Sequence, residues 1–256
     1  GPETLPRTAS AVDSARAPMG STKPDDNRRR QPSKGRTMLD VPVERSRIQH
    51  WYGENAPHYD ELTAANEAVP KARALELLDR QPGERYLEVA IGTGVTFAEV
   101  VASSGIEGAH GVDLAAGMMD VARARLREQG VEHAPFSLAD ATALPFPDGS
   151  FDVVFNSYML DLIPTEEIPV VLAEFRRVLR ADGRLILVNL TEGEGSDTEF
   201  SAGWKQAYER DPEALGACRP VVVEPMAREL GFEGLEREYF GHGASWPTEI
   251  LTGCSP

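Results

Sequence analysis

Cysteine is nearly absent: Cys218 and Cys254 are the only two in 256 residues. That count excludes a Cys-rich zinc centre and a disulfide-stapled scaffold, and it fits free thiols in a reducing cytoplasm. Long apolar runs are missing too, since none approaches the roughly 20 residues that span a bilayer. The N-terminus lacks the apolar stretch of a secretory signal, so a cytoplasmic protein with no stable membrane insertion is expected. There is no His-Glu-x-x-His, no EF-hand loop, no serine nucleophile elbow and no Walker lysine. No metal is expected.

Basic charge is the minority. The chain has 26 Lys and Arg against 41 Asp and Glu, for a net charge of −15. Residues 1–37 hold eight basic and four acidic residues, so residues 38–256 alone carry −19. A surface that acidic repels nucleic acid and anionic membranes. The expected partner is a small molecule, zwitterionic or cationic ones included, met by a monomer or homodimer.

Residues 1–37 read as a disordered tail. Five prolines, the run Arg28-Arg29-Arg30 and no apolar period leave too little to bury against the cost of ordering. Gly1-Pro2 matches the pair left by a protease-cleaved tag. Residues 38–80 predict a helical cap, first around Val43, Ile48, Trp51 and Tyr52, then along the stripe Val69, Ala72, Leu75 and Leu78. From Arg85 onward, short apolar strands alternate with amphipathic helices. Strands are predicted at Arg85–Ala90, Ala109–Val112, Ala134–Leu138, Phe151–Asn156 and Arg184–Leu190. Helices are predicted at Thr96–Ser103, Ala116–Gln129 and Thr165–Leu179. Gly234–Phe240 and Trp246–Thr252 close the pattern as two further strands. The fold class expected is α/β, doubly wound, with a mainly parallel seven-stranded sheet and helices on both faces. Residues 81–256 form that domain, and 191–256 supply substrate-pocket elements.

The chemistry gathers at strand ends. The first strand runs into Glu88-Val89-Ala90-Ile91-Gly92-Thr93-Gly94, where glycines between strand and helix admit a ligand close to backbone. Asp113 ends the second strand, where a carboxylate suits a ribose diol. Asp140-Ala141 follows the third, beside the apolar Leu144-Pro145-Phe146, and Asn156-Ser157 follows the fourth. Open α/β sheets bind ligands at that edge.

These residues resemble the class I S-adenosylmethionine-dependent methyltransferases. Ser137-Leu138-Ala139-Asp140-Ala141-Thr142-Ala143-Leu144-Pro145-Phe146-Pro147-Asp148-Gly149-Ser150-Phe151-Asp152 is similar to the ubiquinone/menaquinone-biosynthesis-like branch, as is Trp51 with Ala56-Pro57-His58-Tyr59-Asp60. The resemblance covers residues 48–190 well and 191–256 loosely. It implies S-adenosyl-L-methionine as cofactor. Glu88, Ala90, Gly92, Thr93 and Gly94 would then line the methionine moiety, and Asp113 and Leu114 would hold the ribose. Met118 would either pack on the adenine or be plain helix core, and Asp140 and Ala141 would meet the adenine edge. Asn156 and Ser157 would border the methionyl end, and Tyr59 would close over the amino acid portion. Glu88, Ala90 and Ile91 depart from the family's usual Asp, Gly and small residue.

The resemblance implies methyl transfer to a small molecule, by C- or O-methylation of an aromatic or quinol-like acceptor. Amine methylation and a non-catalytic cofactor-binding regulator are the alternatives. A nicotinamide dehydrogenase is more distant, because Gly92-x-Gly94-x-x-Phe97 lacks its third glycine. A general base is wanted if the acceptor must lose a proton. His242, flanked by Gly241 and Gly243, is the candidate, with a plain turn residue as the other reading. Asp161 reads either as a site carboxylate or as a helix-start acid, and Arg219 either as an anion contact or as a surface residue.

Overall fold

The computed structural model describes residues 39–241 and 246–256. The tail, including Arg28-Arg29-Arg30, lies outside the described residues, and so does His242.

Two helices, α1 (Arg45–Asn55) and α2 (Tyr59–Leu78), precede the alternating segment. That segment then runs β1 (Tyr86–Val89), α3 (Val95–Ser104), β2 (Ala109–Asp113), α4 (Ala116–Glu128), β3 (Phe136–Leu138), β4 (Phe151–Ser157), α5 (Ile168–Val178) and β5 (Leu179–Leu190). It closes with α6 (Thr198–Arg210), α7 (Glu224–Glu229), β6 (Glu233–Phe240) and β7 (Thr248–Cys254). The seven strands make one sheet in the order β3-β2-β1-β4-β5-β7-β6. Pairings from β3 across to β5 are parallel, while β7 runs antiparallel to both β5 and β6. This is the doubly wound sheet expected from the alternation.

Burial explains the strands. All four residues of β1 are buried, and β4 and β5 are buried along most of their length. Both sheet faces are covered. Ile168, Val171, Leu172, Phe175 and Val178 of α5 are fully buried on one face, and Ala74, Leu78, Phe97, Val100, Ala122 and Leu126 cover the other. Losing one such leucine to alanine costs about 2–5 kcal/mol.

One boundary moves. The predicted helix to Leu179 and strand from Arg184 become a helix ending at Val178 and a strand starting at Leu179. The sheet register slips opposite Phe151 and Val153, where Asp182 takes a left-handed φ of 58°. The extra residues bulge there and rejoin the ladder at Arg184.

The chain leaves β1 toward β2 and β3, then returns to β4 on the other side of β1. Strand order reverses at that point and opens a crevice at the carboxyl ends of the strands. Two non-glycine residues with left-handed φ stand at those ends, Ala90 at 59° after β1 and Tyr158 at 50° after β4. Such backbone costs about 1–2 kcal/mol per residue and concentrates at functional sites.

Candidate active site

A cavity of about 550 Å³ fills the crevice, within the roughly 300–1,000 Å³ of small-molecule sites. It brings together Tyr59, Glu88, Ala90, Gly92, Thr93, Asp113, Leu114, Met118, Asp140, Ala141 and Ser157. Two residues of the predicted set are not in its lining. Gly94 caps α3 at φ 75°, and a Cβ there would lie 2.7 Å from the Ala122 Cβ, so this glycine serves helix packing. Asn156 is fully buried and turns inward, donating from Nδ2 to the Val89 carbonyl at 2.8 Å. It props the end of β1.

Asp113 is only 8% exposed. Its Oδ2 accepts from the Gly92 amide at 2.9 Å and its Oδ1 from the Ala115 amide at 2.8 Å. Burial raises its pKa, and these amides work against that rise. A carboxylate offers about four lone-pair sites, so two filled by amides leave room for a diol. Gly92, at φ 54°, has open space where a Cβ would stand, which lets a ligand approach the turn.

Glu88 is 2% exposed and accepts from the Tyr86 hydroxyl at 2.7 Å. Burial pushes its pKa up to about 8, against the pull of Tyr86 and the Lys71 charge. It is a buried acid facing a cavity, which suits an incoming cation. Thr93 gives its hydroxyl to Asp60, while Arg125 bonds both the Thr93 carbonyl and Asp60. The turn is thereby clasped to the start of α2.

Asp140 Oδ1 accepts from the Thr142 amide at 2.9 Å and the Thr142 hydroxyl at 2.7 Å, and Oδ2 pairs with Arg45. Burial would raise this carboxyl, but Thr142 and Arg45 outweigh it and hold the pKa below the usual range.

The residues missed from the sequence come mostly from the N-terminal segment. Val41, Val43, Arg45, Ile48, Gln49, Tyr52, Glu67 and Lys71 all line the cavity. Arg45 bridges Asp140 and Glu167, and Gln49 donates to the Leu114 carbonyl at 2.7 Å. Nothing in their local pattern announced this. For Glu67 and Lys71 the i,i+4 spacing was the one visible signal.

Arg219 departs from both of its readings. It is fully buried and bonds the carbonyls of Leu39, Asp161 and Ile163 and the hydroxyl of Thr165. It ties the N-terminal segment to the loop after β4. Asp161 is fully buried beside Cys218 and Tyr52, outside the cavity lining, and burial pushes it up to about 6.

Among the described residues no helix is long and apolar enough to cross a membrane, and no cluster of three or more His, Cys, Asp or Glu could hold a metal.

Residues 87–183 match the model of a methyltransferase domain. A demethylmenaquinone methyltransferase of Lactococcus lactis subsp. lactis (strain IL1403) is 30% identical over 151 residues, which is 57% of this chain and 59% of that protein. The [4+2]-cyclase SpnF superimposes with a TM-score of 0.66 at 19% identity, over 86% of this chain and 99% of that one. The phosphoethanolamine N-methyltransferase 2 of Haemonchus contortus, in complex with S-adenosyl-L-methionine, gives 0.58 at 17% identity, over 73% and 52%. The chain spans 32% to 62% of the length of the first curated relatives it matches.

Proposed function

We propose that the chain is a class I S-adenosylmethionine-dependent methyltransferase and that it methylates a carbon or oxygen of a small aromatic or quinol-like acceptor in the cytoplasm. The observation that carries this reading is the mixed lining of the cavity. Asp113 and Asp140 supply carboxylates, and Tyr52, Tyr59, Tyr158, Met159, Leu162 and Ile163 supply aromatic and apolar surface. Six carboxylates among the lining residues disfavour a phosphorylated acceptor.

The donor set fits the cofactor. Asp113 has acceptor capacity left for ribose hydroxyls, Asp140 and Ala141 stand where an adenine edge would lie, and Met118 offers a soft apolar face. Glu88 would receive the ammonium of the methionine tail. S-adenosylmethionine supplies an already electrophilic methyl, so the protein's work is orientation and exclusion of water. Orientation of this kind reaches about 7–11 kcal/mol in good intramolecular models. Tyr59 would close over the amino acid portion of the cofactor, with its ring centroid 5.6 Å from that of Tyr52. We assign His242 as the base that takes an acceptor proton.

Calorimetry of the purified protein with S-adenosylmethionine, S-adenosylhomocysteine and NAD tests the first part. Binding of the two sulfur compounds with NAD silent supports it, and NAD binding alone sinks it. Release of S-adenosylhomocysteine across a panel of phenols, quinols and amines tests the second. Turnover confined to amines would overturn the carbon or oxygen assignment.

A further inference from the structure

Helix α2 covers the sheet with one face and leaves the other bare. Thr63, Glu67, Pro70, Ala74 and Leu78 are its buried residues. On the opposite side of the helical wheel, Leu62 is 52% and Val69 49% exposed, and Ala65 and Ala72 are exposed between and beyond them. Half of the apolar stripe expected to pack inward, Val69 and Ala72, therefore faces outward. Residues 62–70 hold a single charged side chain, Glu67, which is buried on its ion pair with Lys71. Residues 38–256 carry −19, so contact between two copies of the chain generally brings acids together. The outer face of α2 is a place where that repulsion is missing.

The spacing on this face is specific. The exposed residues His58, Leu62, Ala65, Val69, Ala72 and Glu76 follow one another at intervals of 4, 3, 4, 3 and 4, the alternation of a coiled-coil seam. His58 is the N-cap of the helix, and the other five lie within it. The row is also symmetric about position 67. In an antiparallel pair of these helices, Leu62 lies opposite the partner's Ala72, and Val69 lies opposite the partner's Ala65. Each large side chain thus meets a small one, which lets the helix axes approach and fills the space between them. At both ends His58 meets the partner's Glu76, an imidazole donor against a carboxylate acceptor. Glu76 is held in place by Arg73 at 2.9 Å, and Arg73 is itself fixed on Glu238 by bonds of 2.9 and 2.7 Å.

We propose that the outer face of α2 is a homodimer seam, on which a second copy of the chain lays the same helix antiparallel. A lipid surface or an unrelated protein would take an apolar face, but neither requires a row that complements itself in size along its length and in polarity at its ends. A twofold contact does require this, because each pairing occurs twice. One helix pair falls short of the roughly 1,200 Å² at which stable interfaces begin, so the dimer is a weak, concentration-dependent one. The inner side of α2 lines the cavity with Glu67 and Lys71. Pairing would brace that wall from outside.

Sedimentation velocity on the full chain, from low to high micromolar concentration, tests the proposal. The wild type should pass from monomer to dimer. Leu62→Asp and Val69→Asp should each raise the dissociation constant by roughly 10-fold or more, since twofold symmetry buries each new charge twice. Both positions are half exposed in the single copy, so the melting temperature of the dilute protein should hardly change. Glu76→Lys should also weaken the dimer. Adding His58→Glu to it should recover the association, because the end pairs then close with their signs exchanged. A wild type that stays monomeric throughout would overturn the proposal, and so would a dimer that withstands Leu62→Asp and Val69→Asp. Failure of His58→Glu to rescue Glu76→Lys would overturn the antiparallel seam. Monomers that float with phosphatidylcholine vesicles, and cease to do so in Val69→Asp, would assign the face to a lipid surface and overturn it too.

Discussion

The amide of Gly92 donates to Oδ2 of Asp113 at 2.9 Å, so the glycine turn after β1 and the acid that ends β2 form one unit. Cofactor affinity should therefore depend on Asp113 twice, through ligand contact and through turn geometry. Asp113→Ala should weaken S-adenosylhomocysteine binding by about 100-fold or more by calorimetry, the scale of two charge-assisted hydrogen bonds. Asp113→Asn, which keeps one acceptor oxygen, should lose less. Unchanged affinity in Asp113→Ala would sink the ribose assignment.

Glu88 makes stability pH-dependent without ligand. Its carboxyl titrates near 8 when folded, against an ordinary value of 4.5. Between those values the native state holds a proton that the unfolded chain has lost, so stability falls as pH rises through that window. Asp161, raised to about 6, adds the same sign at lower pH. Melting temperature should decline from pH 5 to pH 8, and Glu88→Gln should flatten the upper part of that decline. Cofactor binding at pH 7 should release a proton, visible as a calorimetric heat that depends on the buffer. A heat independent of buffer ionisation would contradict a protonated Glu88.

Left-handed backbone at the β1 turn gives two opposite glycine effects. Ala90 carries a Cβ at φ 59°, so Ala90→Gly should stabilise by up to about 1 kcal/mol, the relieved strain exceeding the added freedom of the unfolded chain. Gly94→Ala should destabilise by about 1–3 kcal/mol, because its Cβ would press on Ala122 from a left-handed residue. Urea midpoints of both variants check the pair. Two shifts of the same sign would refute this account of the turn.

Arg219 is the buried pin of the N-terminal segment. Arg219→Met should leave several carbonyls without a donor, at about 1–3 kcal/mol for each that water does not reach. It should also free the chain around Leu39. Limited proteolysis should then cut within residues 39–44 well before the wild type is cut, and cofactor dissociation should quicken. Wild-type cleavage kinetics in this variant would show that the segment is held by other contacts.

The alternation of strands and helices, the parallel sheet and the binding edge were all legible in the sequence. The places of Gly92, Asp113 and Asp140 along the cavity were legible too, because each signal is local. Burial on both faces writes continuous apolar runs into β1, β4 and β5, and a sheet of this kind presents its ligand edge at residues that directly follow those runs. The bulge at Asp182 escaped because a left-handed aspartate looks locally like a helix stop. Tertiary structure alone decided which strand-end residues face the cavity. Asn156 follows the rule of position yet turns inward to the Val89 carbonyl, and Gly94 packs against Ala122 outside the cavity lining. It alone also brought Arg45 to Asp140, Arg219 to Leu39 and Lys71 to the neighbourhood of Glu88. These partners stand 95, 180 and 17 residues apart. No periodicity links them, and only the packing of the N-terminal segment over the sheet edge brings these groups within reach.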